Sequence, residues 1–246
     1  MNTIDEPASF ILDAAPRAGD AAFEDSLRLL RAVADGALRG PVVRAYRPLR
    51  TVALSRREAN LPGFADAEAA ARAHGFDPVV RPAGGRAVAY DRTCLVVDLV
   101  TVEPTGLLDH RAAFVGAGTA FVDSLREVGV DARLGPVPGE YCPGDYSVNA
   151  RGSVKLVGTA QRRVRGARLL SASLPLGEVD GLRDVLVDVN AALAFDWDPD
   201  TFGSVRAESP GIDEDALVER IARHLVGRTR RLDLGEALSL PGAATP

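Results

Sequence analysis

The chain has 246 residues, 46% hydrophobic and 26% charged, with a net charge of −5. That suits a globular protein with a sizeable core, and an acidic balance with no basic block argues against nucleic-acid binding. No apolar run approaches the roughly 18 residues of a membrane span, the N-terminus carries acids where a secretory signal has bases, and a cytoplasmic protein is expected.

In chain order, Asp20 to Asp35 reads as a helix, with Phe23, Leu27 and Leu30 on one stripe and Asp20 as N-cap. The turn GALRGP precedes a strand at Arg50 to Ser55, and an Ala-rich helix follows over Ala65 to Ala73. The stretch from Phe76 to Val100 reads as strand, Gly turn, strand, turn and strand; its last strand, Cys94 to Val100, is apolar enough to be buried. A long helix is expected from Leu107 to Val128. Leu134 to Asp145, with three prolines and three glycines, must be a loop. Strands follow near Tyr146–Asn149, Val154–Arg162 and Arg168–Leu174, then helices over Val179 to Leu193 and Asp213 to Val226. Runs of adjacent strands with interspersed helices predict an α+β fold. One domain is expected over residues 1–246, with its core at about 20–228, loose termini and no C-terminal accessory domain.

Lys155 is the only lysine in the chain; every other basic side chain is arginine. Drift in base composition explains scarce lysines but not where the survivor sits. It lies in KLVGTAQRR, a strand whose alternation puts Leu156, Gly158 and Ala160 on one face and Lys155, Val157 and Thr159 on the other. The small residues leave room for something elongated; a solvated edge strand is the plainer reading. The second unusual stretch is RPAGGRAVAYD, Arg81 to Asp91. Its Gly pair permits close backbone approach, and freed N–H groups there can face a carboxylate, phosphate or acyl oxygen, although a simple hairpin turn fits as well.

Together the two stretches resemble the family of lipoate-protein ligases and octanoyl transferases, to which biotin-protein ligases are distantly related. Arg81-Pro-Ala-Gly84-Gly85-Arg86-Ala87-Val88 with Asp91 matches its Arg-rich Gly turn, and Lys155-Leu-Val-Gly158-Thr-Ala160-Gln161-Arg162 matches its lysine strand, in the same order. Tyr90-Asp91 stands where the family has His-Asp, Ser171-Ala172 where it has His-Gly, and Ala83 where it has Ser or Thr. The resemblance implies a mixed central sheet flanked by helices, with an acyl tunnel between the motifs. It implies transfer of an octanoyl or lipoyl group to the lysine of a lipoyl carrier domain, an E2 subunit or the glycine cleavage H protein. Lys155 would contact the acyl carbonyl or the activated phosphate, a task that suits a compact ammonium on a flexible stem. Arg81, Gly84, Gly85, Arg86 and Ala87, with Gly158, Ala160 and Gln161, would shape the acyl site, and Asp91 would orient or deprotonate the attacking amine.

The turn reads Gly-Gly-Arg-Ala-Val, as in the transferase branch, which places a nucleophilic cysteine shortly before the lysine strand. Cys142 sits thirteen positions before Lys155, and a reactive thiol wants such an electropositive neighbour. An incidental loop cysteine is the alternative. That branch takes its acyl group from acyl carrier protein and needs no cofactor. The other reading is a ligase using ATP and Mg²⁺ without its accessory domain; the third is an acyl-binding protein without turnover. Cys94, in its buried strand, is expected to be inert. His74, His110 and His224 fall on helices as surface or packing residues, and no Cys or His spacing suggests a metal site.

Overall fold

The computed structural model of the chain describes residues 7–103 and 110–240. Strand β1 (Ala8–Leu12) leads to helix α1 (Gly19–Ala34), β2 (Val42–Tyr46), β3 (Thr51–Ser55), α2 (Phe64–Ala73), β4 (Asp77–Arg81), β5 (Val88–Tyr90) and β6 (Cys94–Val102). Then come α3 (His110–Arg126), β7 (Ala132–Leu134), β8 (Val148–Ala150), β9 (Val154–Val164), β10 (Ala167–Pro175) and α4 (Asp180–Ala192). The chain continues through α5 (Val205–Glu208), α6 (Glu214–Val226), β11 (Thr229–Arg231) and α7 (Leu234–Leu238).

An eight-stranded mixed sheet runs β11-β1-β2-β6-β10-β9-β8-β7, and a three-stranded sheet runs β4-β3-β5. The α+β reading is met. Period-2 alternation sends Phe10, Val43, Ala45, Leu95 and Val97 to one face of the large sheet, where Phe121 and Leu125 of α3 and Leu217 and Ile221 of α6 complete a core. On the other face α1 covers Ile11, Val42, Val100 and Leu169. The small sheet packs Val52, Leu54 and Val88 against Ala67 and Ala71 of α2 and Leu182, Val185 and Leu186 of α4, meeting Tyr46 and Val96 of the large sheet.

Several expectations are corrected. The termini are not loose where they are described: β1 lies inside the large sheet, paired in parallel with both β2 and β11. Strand β2 escapes a pattern reading because its middle residue is an arginine. Arg44 is wholly buried, and all five of its N–H donors are taken, by Asp13, Asp25, the Ala22 carbonyl and Ser26. Helix α1 is capped by Ala18 rather than Asp20; Asp20 instead accepts the Ala21 N–H in the first turn. Arg81 to Val88 is no hairpin, because β4 and β5 flank β3 from opposite sides and do not pair with each other. The expected start of the long helix at Leu107 lies outside the described residues.

The correction that matters most for the site is in β9. Val148 opposes Val157, but Asn149 opposes Lys155, so β9 carries one extra residue against β8. This β-bulge breaks the alternation. Leu156 and Val157 both enter the core beneath α3, and Lys155 emerges on the same face as Gly158 and Ala160, not the opposite one.

Candidate active site

The Gly turn crosses the end of β3, where Ser55 pairs with Arg81. Glu58, in the 3₁₀ turn after β3, holds it there. One carboxylate oxygen accepts the Ala87 N–H at 2.7 Å, and the other accepts the Ser55 N–H and hydroxyl at 2.7 and 2.8 Å. The Arg81 guanidinium donates to the Arg86 carbonyl at 2.8 Å. Gly85 has φ +99°, and a Cβ there would lie 2.7 Å from Arg81 Nη2 and 3.3 Å from Cys142 Sγ, so both conformation and space demand glycine. Gly84 is under neither constraint; a Cβ on it meets nothing within 4 Å.

The loop between β7 and β8 folds over the sheet toward this turn. Buried Glu140 organises it. Oε1 accepts the Val137 and Gly144 N–H groups at 3.2 and 3.3 Å; Oε2 accepts the Ser147 hydroxyl at 2.7 Å and pairs with Lys155 Nζ at 2.6 Å. Lys155 also donates to the Cys142 carbonyl at 2.7 Å and sits 4.8 Å from the Tyr141 ring centre. Tyr141 packs edge-on against Trp197 and Phe202. The half-buried Cys142 Sγ thus faces the turn and accepts the Arg86 backbone N–H at 3.2 Å.

Between loop, turn and sheet lies a cavity of about 160 Å³. Lys155, Gly158 and Ala160 form its β9 wall, and Ser171 and Ser173 its β10 wall. Tyr141, Cys142, Arg81, Gly85 and Arg86 line its mouth. Asp98 of β6 with Phe23 and Ser26 of α1 line the far side. Gly158 keeps the passage open: a Cβ there would come within 3.1 Å of the Tyr141 hydroxyl and 3.3 Å of Lys155 Cε. Burial pushes the Asp98 carboxyl above the usual carboxylate range, opposed by the Arg44 guanidinium and the hydroxyls of Ser171 and Ser26. A thiol, a cation and a backbone N–H therefore gather at one end of an elongated pocket, the parts needed to hold an acyl group and pass it through a sulfur.

Residues 22–205 match the model of the lipoyl protein ligase A/B catalytic domain. The chain belongs to this family. Over 203 residues it is 33% identical to the octanoyl-[GcvH]:protein N-octanoyltransferase of Exiguobacterium sibiricum, covering 77% of this chain and 73% of that one. The enzyme of the same name from Geobacillus kaustophilus is 32% identical over 51% of this chain and 44% of its own length. Like these relatives, the chain is an acyltransferase. Among solved structures, a T. acidophilum protein with bound lipoic acid aligns with TM-score 0.69 at 21% identity, over 94% of this chain and 91% of that one. A bipartite lipoate protein ligase from Thermoplasma acidophilum aligns with TM-score 0.66 at 20% identity, over 92% and 87%. These two share the fold.

Within this lipoyl protein ligase A/B fold, Lys155, Cys142, Arg81, Gly85, Arg86, Gly158 and Ala160 do converge on the cavity. Gly84, Ala87 and Gln161 do not line it. Ala87 acts through its N–H on Glu58 and its burial in the core. The Arg86 guanidinium turns outward, 4.4 Å from the Phe195 ring centre. Asp91 is a correction. Its Oδ1 accepts the Thr93 N–H and hydroxyl at 2.8 and 2.6 Å, closing the β5–β6 turn outside the cavity, so it cannot serve an amine there. Cys94 is inert as expected, its thiol pushed by burial up to about 12. His74 pairs with Asp188 and His224 with Glu127 on the surface; the side chain of His110 lies outside the described residues. Glu58, Glu140, Tyr141, Asp98, Ser26, Ser147 and Ser173 escaped the sequence reading. Only the position of Glu140, two residues before Cys142 in a Pro/Gly loop, hinted at a role.

Proposed function

We propose that the chain carries an octanoyl group, as a thioester on Cys142, from an acylated carrier protein to the lysine amine of a lipoyl domain, with GcvH as one of the two partners. The observation that carries this reading is the Cys142 sulfur held 3.2 Å from the Arg86 N–H at the mouth of the cavity. The names of the relatives supply the octanoyl group and GcvH.

The sulfur attacks the donor's acyl carbonyl; a C–S bond forms and the donor's heteroatom leaves with a proton. The acceptor's amine then attacks the thioester, a C–N bond forms, and the thiol departs. In both tetrahedral states negative charge grows on the acyl oxygen. The Arg86 N–H and the Lys155 ammonium are the donors available to receive it, each such donor being worth ~3–4 kcal/mol. The acyl chain lies over Gly158 and Ala160. Acyl carrier protein remains the proposed donor beside octanoyl-GcvH, and this route uses neither ATP nor Mg²⁺.

Purified protein is mixed with an apo lipoyl domain and, in separate arms, octanoyl-acyl carrier protein, octanoyl-GcvH, or lipoate with MgATP. Intact mass spectrometry reads the lipoyl domain and the enzyme. A mass gain with either octanoyl donor, and an octanoyl adduct on Cys142, is expected. A gain only with ATP overturns the transferase reading in favour of a ligase, and no gain in any arm leaves an acyl binder.

A further inference from the structure

Three arginines are buried among the described residues: Arg44, Arg81 and Arg168. Arg44 pairs with Asp13 and Asp25, and Arg168 with Glu103. Arg81, 8% exposed at the mouth of the cavity, makes no ion pair among the described residues. Its guanidinium donates to the Arg86 carbonyl at 2.8 Å and to the Tyr90 hydroxyl, and its Nε has no partner. The buried carboxylates around it are engaged elsewhere. Glu58 gives its oxygens to Ser55 and Ala87, Glu140 pairs with Lys155, and Asp98 on the far side lies beside Arg44. Burial pushes the Tyr90 and Tyr141 hydroxyls above the ordinary tyrosine range, with the Arg81 charge pulling against it, so neither is an anion at neutral pH. A buried cation without a counter-charge is costly unless the bound state supplies a negative one.

We propose that the Arg81 guanidinium supplies the net positive charge that stabilises the acyl oxygen in both tetrahedral states, with Lys155 and the Arg86 N–H acting as that oxygen's hydrogen-bond donors. This rests on the acyl-transfer reading above. The other two cations that border the cavity bring little net charge to its mouth. Glu140 largely cancels Lys155 at 2.6 Å, and the Arg86 guanidinium turns outward over Phe195. Arg81 has no such partner and lies close to the sulfur. A Cβ on Gly85 would lie 2.7 Å from Arg81 Nη2 and 3.3 Å from Cys142 Sγ, so the two are no farther apart than the sum, about 6 Å. The missing side chain of Gly85 leaves the space between them open to an oxygen on the carbon bonded to Sγ. Coulombic attraction needs no contact, so Arg81 can keep its hydrogen bond to the turn while it acts. At ~6 Å and an effective dielectric constant of ~20, one unit charge is worth about a hundredfold in rate.

Arg81→Gln removes the charge yet keeps an N–H donor for the Arg86 carbonyl, and Arg81→Lys keeps the charge. With octanoyl-pantetheine as donor and an apo lipoyl domain as acceptor, kcat should fall ~100-fold in Arg81→Gln, KM for the donor should hold, and Arg81→Lys should recover much of the loss. Two ligands supply the second readout. Octanamide is a neutral ground-state mimic. Heptyl trifluoromethyl ketone adds the Cys142 thiol: a C–S bond forms, the carbonyl π pair moves to oxygen, and the thiol proton goes to solvent, leaving an anionic oxygen. Octanamide should bind wild type and Arg81→Gln alike, and the ketone ~100-fold more weakly to the variant. A raised KM with unchanged kcat, or an equal loss of both ligands, would mean that Arg81 only shapes the turn and overturns the inference. Should Arg81→Gln fail to fold, Arg81→Lys decides: its ketone-to-octanamide affinity ratio stays near that of the wild type if the charge acts, and a drop overturns the inference. Fluorine NMR reports the adduct itself. No adduct on the wild type would remove the acyl-transfer reading and the inference with it, whereas an adduct held equally well by Arg81→Gln overturns the inference alone.

Discussion

Glu140 Oε2 and Lys155 Nζ meet at 2.6 Å with side chains 1% and 4% exposed, and the same ammonium donates to the carbonyl of Cys142. One lysine therefore fastens the Cys142 loop and faces the cavity. Such a pair is strongly destabilising to break from one side. Glu140→Gln is expected to cost ~3–5 kcal/mol in urea unfolding. The double variant Glu140→Gln, Lys155→Met should recover much of that stability and none of the transfer.

Lys155→Arg keeps the charge but replaces a point donor with a planar fork. Gly158, Tyr141 and Glu140 leave no width for it. Transfer should fall ~10²–10³-fold, as when one oxyanion donor is lost, while far-UV circular dichroism stays that of the wild type. Unimpaired transfer would remove Lys155 from the chemistry.

Cys142→Ser leaves the fold alone, because the sulfur accepts one N–H and little else. No acyl adduct should appear on the enzyme by intact mass, and transfer should drop to background. Full activity in this variant would remove the thioester step.

The two glycines of the turn should behave differently. Gly85→Ala meets Arg81 and Cys142 at a left-handed φ and is expected to cost ~1–3 kcal/mol together with most of the activity. Gly84→Ala should be close to neutral in both, as read by Tm and by the octanoyl-transfer assay.

How much of this was legible follows the range of the interactions. The two motifs name the Gly turn and the β9 wall of the cavity because each is local, while α1, β6, β10 and the β7–β8 loop supply the rest. The extra residue in β9 is set by how β8 pairs with it, so no alternation pattern could show Lys155 turning to join Gly158. Strand β2 was hidden for the same reason: the partners of Arg44 come from Asp13 and from α1. Asp91 misled because a carboxylate beside a motif looks catalytic, whereas two hydrogen bonds from Thr93 show it closing a turn.

Glu103 gives a pH prediction. Burial acts to raise its carboxyl, but hydrogen bonds from Arg163 and Arg168 outweigh that and hold it below the ordinary value of 4.5. A lowered folded-state pKa contributes stability that is present above that value and lost as pH falls through the folded one. Glu103→Gln should therefore lower Tm at pH 7, and the gap from the wild type should narrow as pH falls below 4.5 toward the lowered folded-state value. A gap that does not narrow as pH falls from 4.5 would contradict the assignment.

The pairing of β1 with β11 has a consequence for synthesis. One edge of β1 finds its partner only at Thr229 to Arg231, which are made after every other strand of the large sheet. Until then an apolar strand that includes Phe10 and Ile11 has an open edge, the kind of surface that invites pairing with another chain. The half of the sheet that walls the cavity, β6 to β10, can assemble earlier, so the nascent protein has reason to need a chaperone at the end opposite that cavity.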